Sequence, residues 1–114
     1  MLNPKLLLDL LAFRREREWE QFHNSRNLAA ALAIEAGELQ EIFLWAKDDE
    51  LNARVEERKI EIEHEVADIA ILLSYFCNDL NIDIDAAVRK KMELNALKYP
   101  VEKSRGSSKK YDAL

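Results

Sequence analysis

The sequence contains few residues that break or turn the chain. Its 114 residues include only two glycines and two prolines, the residues that most often end helices and form turns. Nearly half of the residues are hydrophobic (48%) and a third are charged (34%), which is typical of a soluble, strongly helical protein. The composition therefore predicts one all-α domain in which long helices are joined by short connections.

Cysteines and long apolar runs are also scarce. Cys77 has no second cysteine with which to form an internal disulfide, and its apolar surroundings favour a buried structural thiol over a reactive one. No stretch approaches the ~20 apolar residues of a membrane span, and the N-terminus lacks the pattern of a secretory signal. We therefore expect a cytoplasmic protein with no membrane partner.

The chain has no excess of positive charge, since its formal net charge is −5. Sequence-independent binding of nucleic acids depends on clustered lysines and arginines, so a nucleic-acid partner is not expected. A bound metal ion would offset part of the negative charge.

Hydrophobic periodicity predicts a four-helix unit, with helices over residues 3–19, 26–47, 53–79 and 83–99. Asn3, either Asn24 or Ser25, and Asp83 are the expected N-caps. Residues 1–100 are predicted to form the domain and residues 101–114 a basic C-terminal tail. The second half of the third helix is apolar on most sides, which indicates a subunit interface in a chain this short.

Two pairs of acidic residues dominate the sequence. Glu35 and Glu38 lie three residues apart in the second helix, as Glu65 and Asp68 do in the third, so each pair occupies one face of one turn. Glu35 falls in the middle of an apolar stripe, where a charge is costly unless it is paired or bound to a metal. Four convergent carboxylates predict a site for Mg²⁺, with Mn²⁺ as an alternative. The competing interpretation is two solvated acidic faces that form salt bridges.

The metal chemistry predicts a substrate that carries phosphates. Mg²⁺ is usually held by a few carboxylates together with substrate phosphates, and the sequence has no glycine-rich phosphate loop. The acidic edge of the third helix continues into Leu72 and Tyr75, which indicates an apolar slot beside the metal. Trp19 and Trp45 are candidates for stacking on a base, although core packing is the default interpretation for either ring.

Other polar residues suggest further contacts. Lys91 and Asn95 lie four residues apart and can project into one interior, while the tail lysines either remain solvated or fold over a polyphosphate. The Glu-x-x-His spacing ending at His23 and at His64 occurs in di-iron bundles. His23 lies where the helical pattern is lost, so it is expected at the border of the pocket instead.

These motifs resemble those of a known family. Glu35-x-x-Glu38 and, after a spacer of 26 residues, Glu65-x-x-Asp68 are similar to the metal motif of the MazG-like all-α nucleoside triphosphate pyrophosphohydrolases. More specific similarities extend over nearly the whole chain in one register, in the segments Trp19-Glu-Gln-Phe-His23, Arg26-Asn27-Leu28, Glu35-Ala-Gly-Glu38-Leu-x-Glu41-x-Phe-x-Trp45, Lys91-Met92-x-x-Asn95, Tyr99-Pro100 and Lys110-Tyr111.

The resemblance implies a reaction and a set of site residues. It implies hydrolysis between the α and β phosphates of a nucleoside triphosphate, in members that act on dCTP-like substrates and clean the nucleotide pool. It also implies an intertwined homodimer or homotetramer. The implied Mg²⁺ ligands and catalytic residues are Glu35, Glu38, Glu65 and Asp68, and the implied substrate-binding residues are Trp19, His23, Trp45, Lys91, Asn95, Tyr99, Lys109 and Lys110.

Some alternatives remain open at this point. One is a preference for dUTP or a broad range of triphosphates, and another is a helical interaction module without catalysis. Leu72 stands one turn after Asp68, where similar proteins carry a tyrosine. Glu41 and Glu61 could be further metal ligands or the general base.

Overall fold

The computed structural model describes residues 1–114 and contains helices but no strands. This confirms the predicted all-α class. The α-helices are α1 (Pro4–Glu16), α2 (Ser25–Phe43), α3 (Leu51–Glu57), α4 (Lys59–Asp79), α5 (Ile84–Lys98) and α6 (Val101–Ser104), and 3₁₀ turns span Trp19–Phe22, Asp48–Glu50 and Tyr111–Ala113. None of the helices combines the length and the apolarity needed to cross a membrane.

The chain forms two compact units. Residues 2–81 form the first, and residues 82–114 together with Met1 form the second. In the second unit, the rings of Tyr99 and Tyr111 meet edge to face at 6.2 Å, and the Lys98 ammonium lies 4.9 Å from the centre of the Tyr111 ring. The predicted division at residue 101 stays a prediction.

Side-chain caps begin three of the helices, as the sequence predicted. The side chain of Asn3 accepts a hydrogen bond from the Leu6 amide at 2.8 Å, and that of Asn24 accepts one from the Asn27 amide at 2.8 Å. The Asp83 carboxylate accepts a bond from the Ala86 amide at 3.1 Å. Each cap accepts a hydrogen bond from a backbone amide that has no partner within the helix. Such a cap typically stabilises the folded protein by about 1 kcal/mol.

Three predicted helix boundaries were wrong. The first helix ends at Glu16 rather than near residue 19, because Glu18 adopts a left-handed conformation (φ 54°). The second ends at Phe43, before a left-handed Trp45 (φ 68°). The predicted third helix is divided at Arg58 into α3 and α4. None of these breaks contains glycine or proline, so the composition gave no signal for them.

Helices α2 and α4 form the most extensive contact in the first unit. They run antiparallel, since Glu35 lies near Asp68 whereas Glu38 lies near Glu61. Leu28 and Tyr75 are buried in this unit, with 2% and 4% of their surfaces exposed. The antiparallel packing brings the acidic turn of α2 against the acidic turn of α4.

Helix α1 lies parallel to α4 along two polar contacts. The Tyr75 hydroxyl donates to the Leu10 carbonyl at 2.8 Å, and Arg14 is ion-paired with Asp79 one turn further along both helices. Arg54 of α3 donates to the Ile42 carbonyl at 2.7 Å, which satisfies an acceptor in the last turn of α2. These contacts fix the helices that surround the acidic turns.

Candidate active site

The structure brings three of the four predicted metal ligands together. Glu35, Glu38 and Glu65 each place one carboxylate oxygen within 4.8 Å of the others. Glu35 and Glu65 are half-buried, whereas Glu38 is exposed on the flank, as the helical stripe of α2 predicts. Asp68 lies one turn after Glu65 and lines a cavity together with Glu35. The four residues therefore lie at one junction of α2 and α4.

Two oxygens in this cluster are buried without a hydrogen-bond partner. They are Oε2 of Glu35 and Oε2 of Glu65. The nearby Glu65 carboxylate raises the pKa of Glu35, and burial and the charge of Asp68 raise it further. The charge of Glu35 raises the pKa of Glu38 in turn. Unpartnered buried anions are costly, and an all-oxygen ligand set fits Mg²⁺ or Mn²⁺, so the residues fit a divalent cation.

An apolar cavity of about 370 Å³ adjoins the carboxylates. Its volume is in the range of sites for small molecules. Glu35 and Asp68 mark its acidic end, and most of the remaining wall is aliphatic or aromatic. The lining residues are Leu10, Phe13, Trp19, His23, Glu35, Asp68, Ile71, Leu72 and Tyr75. The predicted apolar slot beside the acidic residues is therefore present in the structure.

Trp19 forms part of the aromatic wall of this cavity. Its ring meets that of Phe13 edge to face at 5.9 Å, and the Arg17 guanidinium lies 3.5 Å from the centre of the Phe13 ring. Trp19 begins a 3₁₀ turn directly after the left-handed Glu18. With 43% of its surface exposed, Trp19 has a free face on which a planar ligand can stack.

His23, which lines the cavity, belongs to a polar cluster with Arg14 and Asp79. Arg14 is 5% exposed, and its two terminal nitrogens donate to the two carboxylate oxygens of Asp79, both at 2.8 Å. This pairing holds the pKa of Asp79 below its usual value. Nη1 of Arg14 lies 3.5 Å from Nδ1 of His23, and burial, followed by the charge of Arg14, lowers the pKa of His23.

Sequence reasoning missed Arg14 and Asp79. A signal for Arg14 was present, because it continues the half-buried stripe of Leu7, Leu10 and Leu11 at spacings of a helical face. A charged residue at such a position needs a partner. No local pattern identifies Asp79 as that partner, since the two residues are 65 positions apart.

A second, more polar cavity of about 400 Å³ lies along the same pair of helices. Glu38 and Glu65 line it together with Glu41, Ile42, Arg58 and Glu61. The Arg58 guanidinium is paired with Glu61, and this hydrogen bond lowers the pKa of the Glu61 carboxyl. Both of the additional carboxylates that the sequence suggested are therefore next to the cluster.

The MazG-like family model matches residues 30–114, which is most of the chain. The chain belongs to the MazG-like family. It is 40% identical over 104 residues to dCTP pyrophosphatase 1 of Mus musculus, and 38% identical over 104 residues to that of Homo sapiens. These alignments cover 90% of this chain but only 61% of each relative.

A solved structure is also similar. It is the crystal structure of a pyrophosphatase from Archaeoglobus fulgidus, with a TM-score of 0.82 and 43% sequence identity. The alignment covers 84% of this chain and 90% of that protein. The helical arrangement described above is therefore shared with a protein whose whole length this chain nearly spans.

Several predicted site residues of this MazG-like chain lie outside the two cavities. Trp45 is one of them, with 88% of its surface exposed. The second unit contains the other predicted nucleotide contacts, which are Lys91, Asn95, Tyr99, Lys109 and Lys110. Tyr99 is half-buried and the other four are exposed. Their predicted contacts with a nucleotide, like that of Trp45, stay predictions.

Proposed function

We propose that this chain is a divalent-metal-dependent nucleoside triphosphate pyrophosphohydrolase. The observation that carries the proposal is the pair of buried, unpartnered oxygens of Glu35 and Glu65 beside an apolar cavity of about 370 Å³. An anionic cluster of this kind suits a cation that also binds phosphates, and the cavity suits a nucleobase. The names of the relatives, dCTP pyrophosphatase 1 and pyrophosphatase, support the same reaction class.

In this proposal, the four carboxylates hold Mg²⁺, and Mn²⁺ can replace it. When bound, the ion supplies charge neutralisation and polarisation of the phosphoryl group. The ligands are Glu35, Glu38, Glu65 and Asp68. Trp19 stacks on the base, and His23 borders it. Water adds to the substrate, the bond between the α and β phosphates breaks, and the products are a monophosphate and pyrophosphate.

Glu41 is our candidate for the general base that takes the proton of the attacking water. It lines the second cavity with Glu38 and Glu65, so it lies next to the proposed ligands. Glu61 lines the same cavity, but its ion pair with Arg58 lowers its pKa and makes it a weaker base. Glu41 has no ion pair in the structure.

The dCTP-like preference rests on the resemblance to dCTP pyrophosphatase 1. One observation favours a broader range of pyrimidine triphosphates, dUTP included. Leu72 gives the cavity an apolar side chain, and the hydroxyl of Tyr75 is used in a bond to the Leu10 carbonyl. Neither residue supplies a free polar group that distinguishes cytosine from uracil.

We also propose a homodimer or homotetramer that works in the cytoplasm on the nucleotide pool. Large apolar side chains are exposed along α2 and α4 in the single chain, including Ile34 (61%), Ile60 (69%) and Val66 (52%). Burial against a second copy would remove this apolar surface from water. Trp45 and the tail residues Lys109 and Lys110 remain proposed substrate contacts in that assembly.

The direct test is to incubate the protein with dCTP and Mg²⁺ and to identify the products. We expect dCMP and pyrophosphate, with dUTP as a second substrate. Glu63→Gln is the matched control for variants of the proposed ligands and should keep the wild-type activity. Glu63 is an exposed carboxylate on α4 outside both cavities. If none of the common ribo- or deoxyribonucleoside triphosphates is turned over, the chain is a helical interaction module rather than an enzyme.

A further inference from the structure

Arg14 is buried and ion-paired with Asp79, and its Nη1 lies 3.5 Å from Nδ1 of His23. We infer that this pair is a positioning device, which holds His23 as the neutral tautomer with its proton on Nε2. The cavity then offers an N–H donor that selects a base carrying a ring carbonyl, as all pyrimidines do. This inference rests on the proposed nucleotide site and adds the chemical feature that it recognises.

Two partners, Asp79 and Tyr75, fix the orientation of Arg14. Both terminal nitrogens are bonded to Asp79 at 2.8 Å, which is the bidentate geometry that holds a guanidinium most firmly. The guanidinium carbon lies 4.6 Å from the centre of the Tyr75 ring. Tyr75 is itself held by its hydrogen bond to the Leu10 carbonyl at 2.8 Å. Arg14 therefore has little freedom to turn away from His23.

This fixed guanidinium determines which nitrogen of His23 carries the proton. Nη1 of Arg14 lies 3.5 Å from Nδ1 of His23, and a guanidinium can donate but never accept. A proton on Nδ1 would therefore face another N–H group, and an imidazolium would face a second cation. When Nδ1 is unprotonated, it can accept a hydrogen bond from Arg14, and neither the clash of two N–H groups nor the repulsion of two cations arises.

The other charged groups around His23 do not reverse this preference. Asp79 is occupied by Arg14 through both of its oxygens. Glu35 and Asp68 share the cavity with His23, but no hydrogen bond joins either of them to the ring, whereas Arg14 lies within 3.5 Å. The ring is also packed at a tilt against Tyr75, with 5.4 Å between the ring centres.

The cavity has few other groups that can read the edge of a base. The hydroxyl of Tyr75 is bonded to Leu10, and Glu35 and Asp68 belong to the proposed metal site. The remaining polar side chains of the lining are Trp19 and His23. They offer the indole N–H and, in the inferred tautomer, Nε2–H, and both of these groups are donors. Such a cavity favours an acceptor, such as the ring carbonyl that cytosine, uracil and thymine share.

The tautomer can be tested without any assay of activity. The chain has two histidines, and the exposed His64 serves as an internal reference in two-bond ¹⁵N–¹H correlation spectra at neutral pH. His64→Gln assigns the signals. We expect His23 to show the limiting shifts of an unprotonated Nδ1 and a protonated Nε2, and His64 to show averaged shifts. A proton on Nδ1, or a doubly protonated ring, would overturn the inference.

The role of the ion pair is tested by replacing both of its members. Arg14→Met combined with Asp79→Leu leaves no unpaired buried charge, so the fold has the best chance of surviving. In this variant we expect the His23 shifts to move towards the averaged values of His64. Limiting shifts that stay unchanged in a folded double variant would show that Arg14 does not set the tautomer.

The role in recognition is tested with a pair of substrates. We compare dCTP with the triphosphate of abasic deoxyribose, which has no base to accept a bond from His23. In the double variant, the loss of kcat/KM for dCTP should exceed the loss for the abasic triphosphate by about tenfold, mainly through KM. Equal losses for both substrates would show a purely structural role.

The inference and the proposed function fail in distinguishable ways. Inactivity of the wild-type protein towards every triphosphate would reject the proposed function, while the NMR result would still decide the tautomer. Conversely, an active enzyme in which His23 is protonated on Nδ1 would keep the proposed function and reject the positioning role of Arg14.

Discussion

Glu35 and Glu65 lie on different helices, yet each leaves one carboxylate oxygen buried and unpartnered at the same junction. The nearby carboxylate of Glu65 is the main cause of the raised pKa of Glu35. Without a cation, the repulsion between these two carboxylates therefore lowers the free energy of unfolding. This effect can be measured by removing one of the two charges.

The first prediction concerns Glu65→Gln in the absence of divalent metal. The neutral amide removes one charge and can donate a hydrogen bond to Glu35, so we expect the free energy of unfolding to rise by about 1 kcal/mol. Urea unfolding in EDTA measures this change. We also expect the increase in Tm that Mg²⁺ gives to the wild-type protein to be lost, because a ligand is missing.

Glu63→Gln is the control for this experiment, since it removes an exposed charge on the same helix. It should keep the Mg²⁺-dependent increase in Tm. If Glu65→Gln destabilises the metal-free protein, or if Mg²⁺ stabilises that variant as strongly as the wild type, the carboxylates do not form the proposed metal site.

The second prediction concerns turnover. Glu38→Gln and Asp68→Asn each remove one proposed ligand at an exposed position, so the helical fold should persist while hydrolysis of dCTP falls to background. Far-UV circular dichroism checks the fold, and pyrophosphate release checks the activity. A rate close to that of the wild type in either variant would remove that residue from the metal site.

The third prediction concerns acid stability. Arg14 lowers the pKa of Asp79 below its ordinary value of 3.8, so the folded state binds the proton less readily than the unfolded state. The stabilisation is therefore fully present above that ordinary value and is lost as the pH falls through the folded-state pKa. Asp79→Asn should be less stable than the wild type at neutral pH, and the difference should shrink in acid.

The measurement is urea unfolding of the wild type and of Asp79→Asn at a series of pH values in EDTA. Burial, followed by the charge of Arg14, lowers the pKa of His23. Both of these causes remain in Asp79→Asn, so the contribution of His23 largely cancels in the comparison. If the two stability curves run parallel down to the lowest pH, the ion pair makes no pH-dependent contribution.

The fourth prediction separates the two tryptophans. Trp19→Ala removes a ring from the cavity wall, so we expect KM to rise by about tenfold or more with a smaller effect on kcat. Trp45→Ala should also raise KM more than it lowers kcat if Trp45 lines the base pocket of the assembled protein. A wild-type KM for Trp45→Ala would exclude Trp45 from the site and leave the assignment of Trp19 intact.

The sequence predicted the features that depend on neighbours along the chain. The caps Asn3 and Asp83 follow from the capping preferences of these residue types, and the half-buried position of Glu35 follows from helical spacing. The structure confirms all three. The break at Arg58 was not predictable in this way, because no glycine or proline marks it. The ion pair of Arg14 with Asp79 depends on the packing of α1 against α4. Because the two residues are 65 positions apart in the sequence, no local pattern predicts their pairing.

The unequal exposure of the two tryptophans, 43% for Trp19 and 88% for Trp45, also determines the intrinsic fluorescence of the protein. In the single chain, Trp45 should emit at the long wavelength of an indole in water, whereas Trp19, beside Phe13 and within the cavity wall, should emit at shorter wavelength. In Trp45→Phe the remaining emission would come from the cavity alone. Quenching of that signal would then report occupancy of the cavity without any chemical turnover.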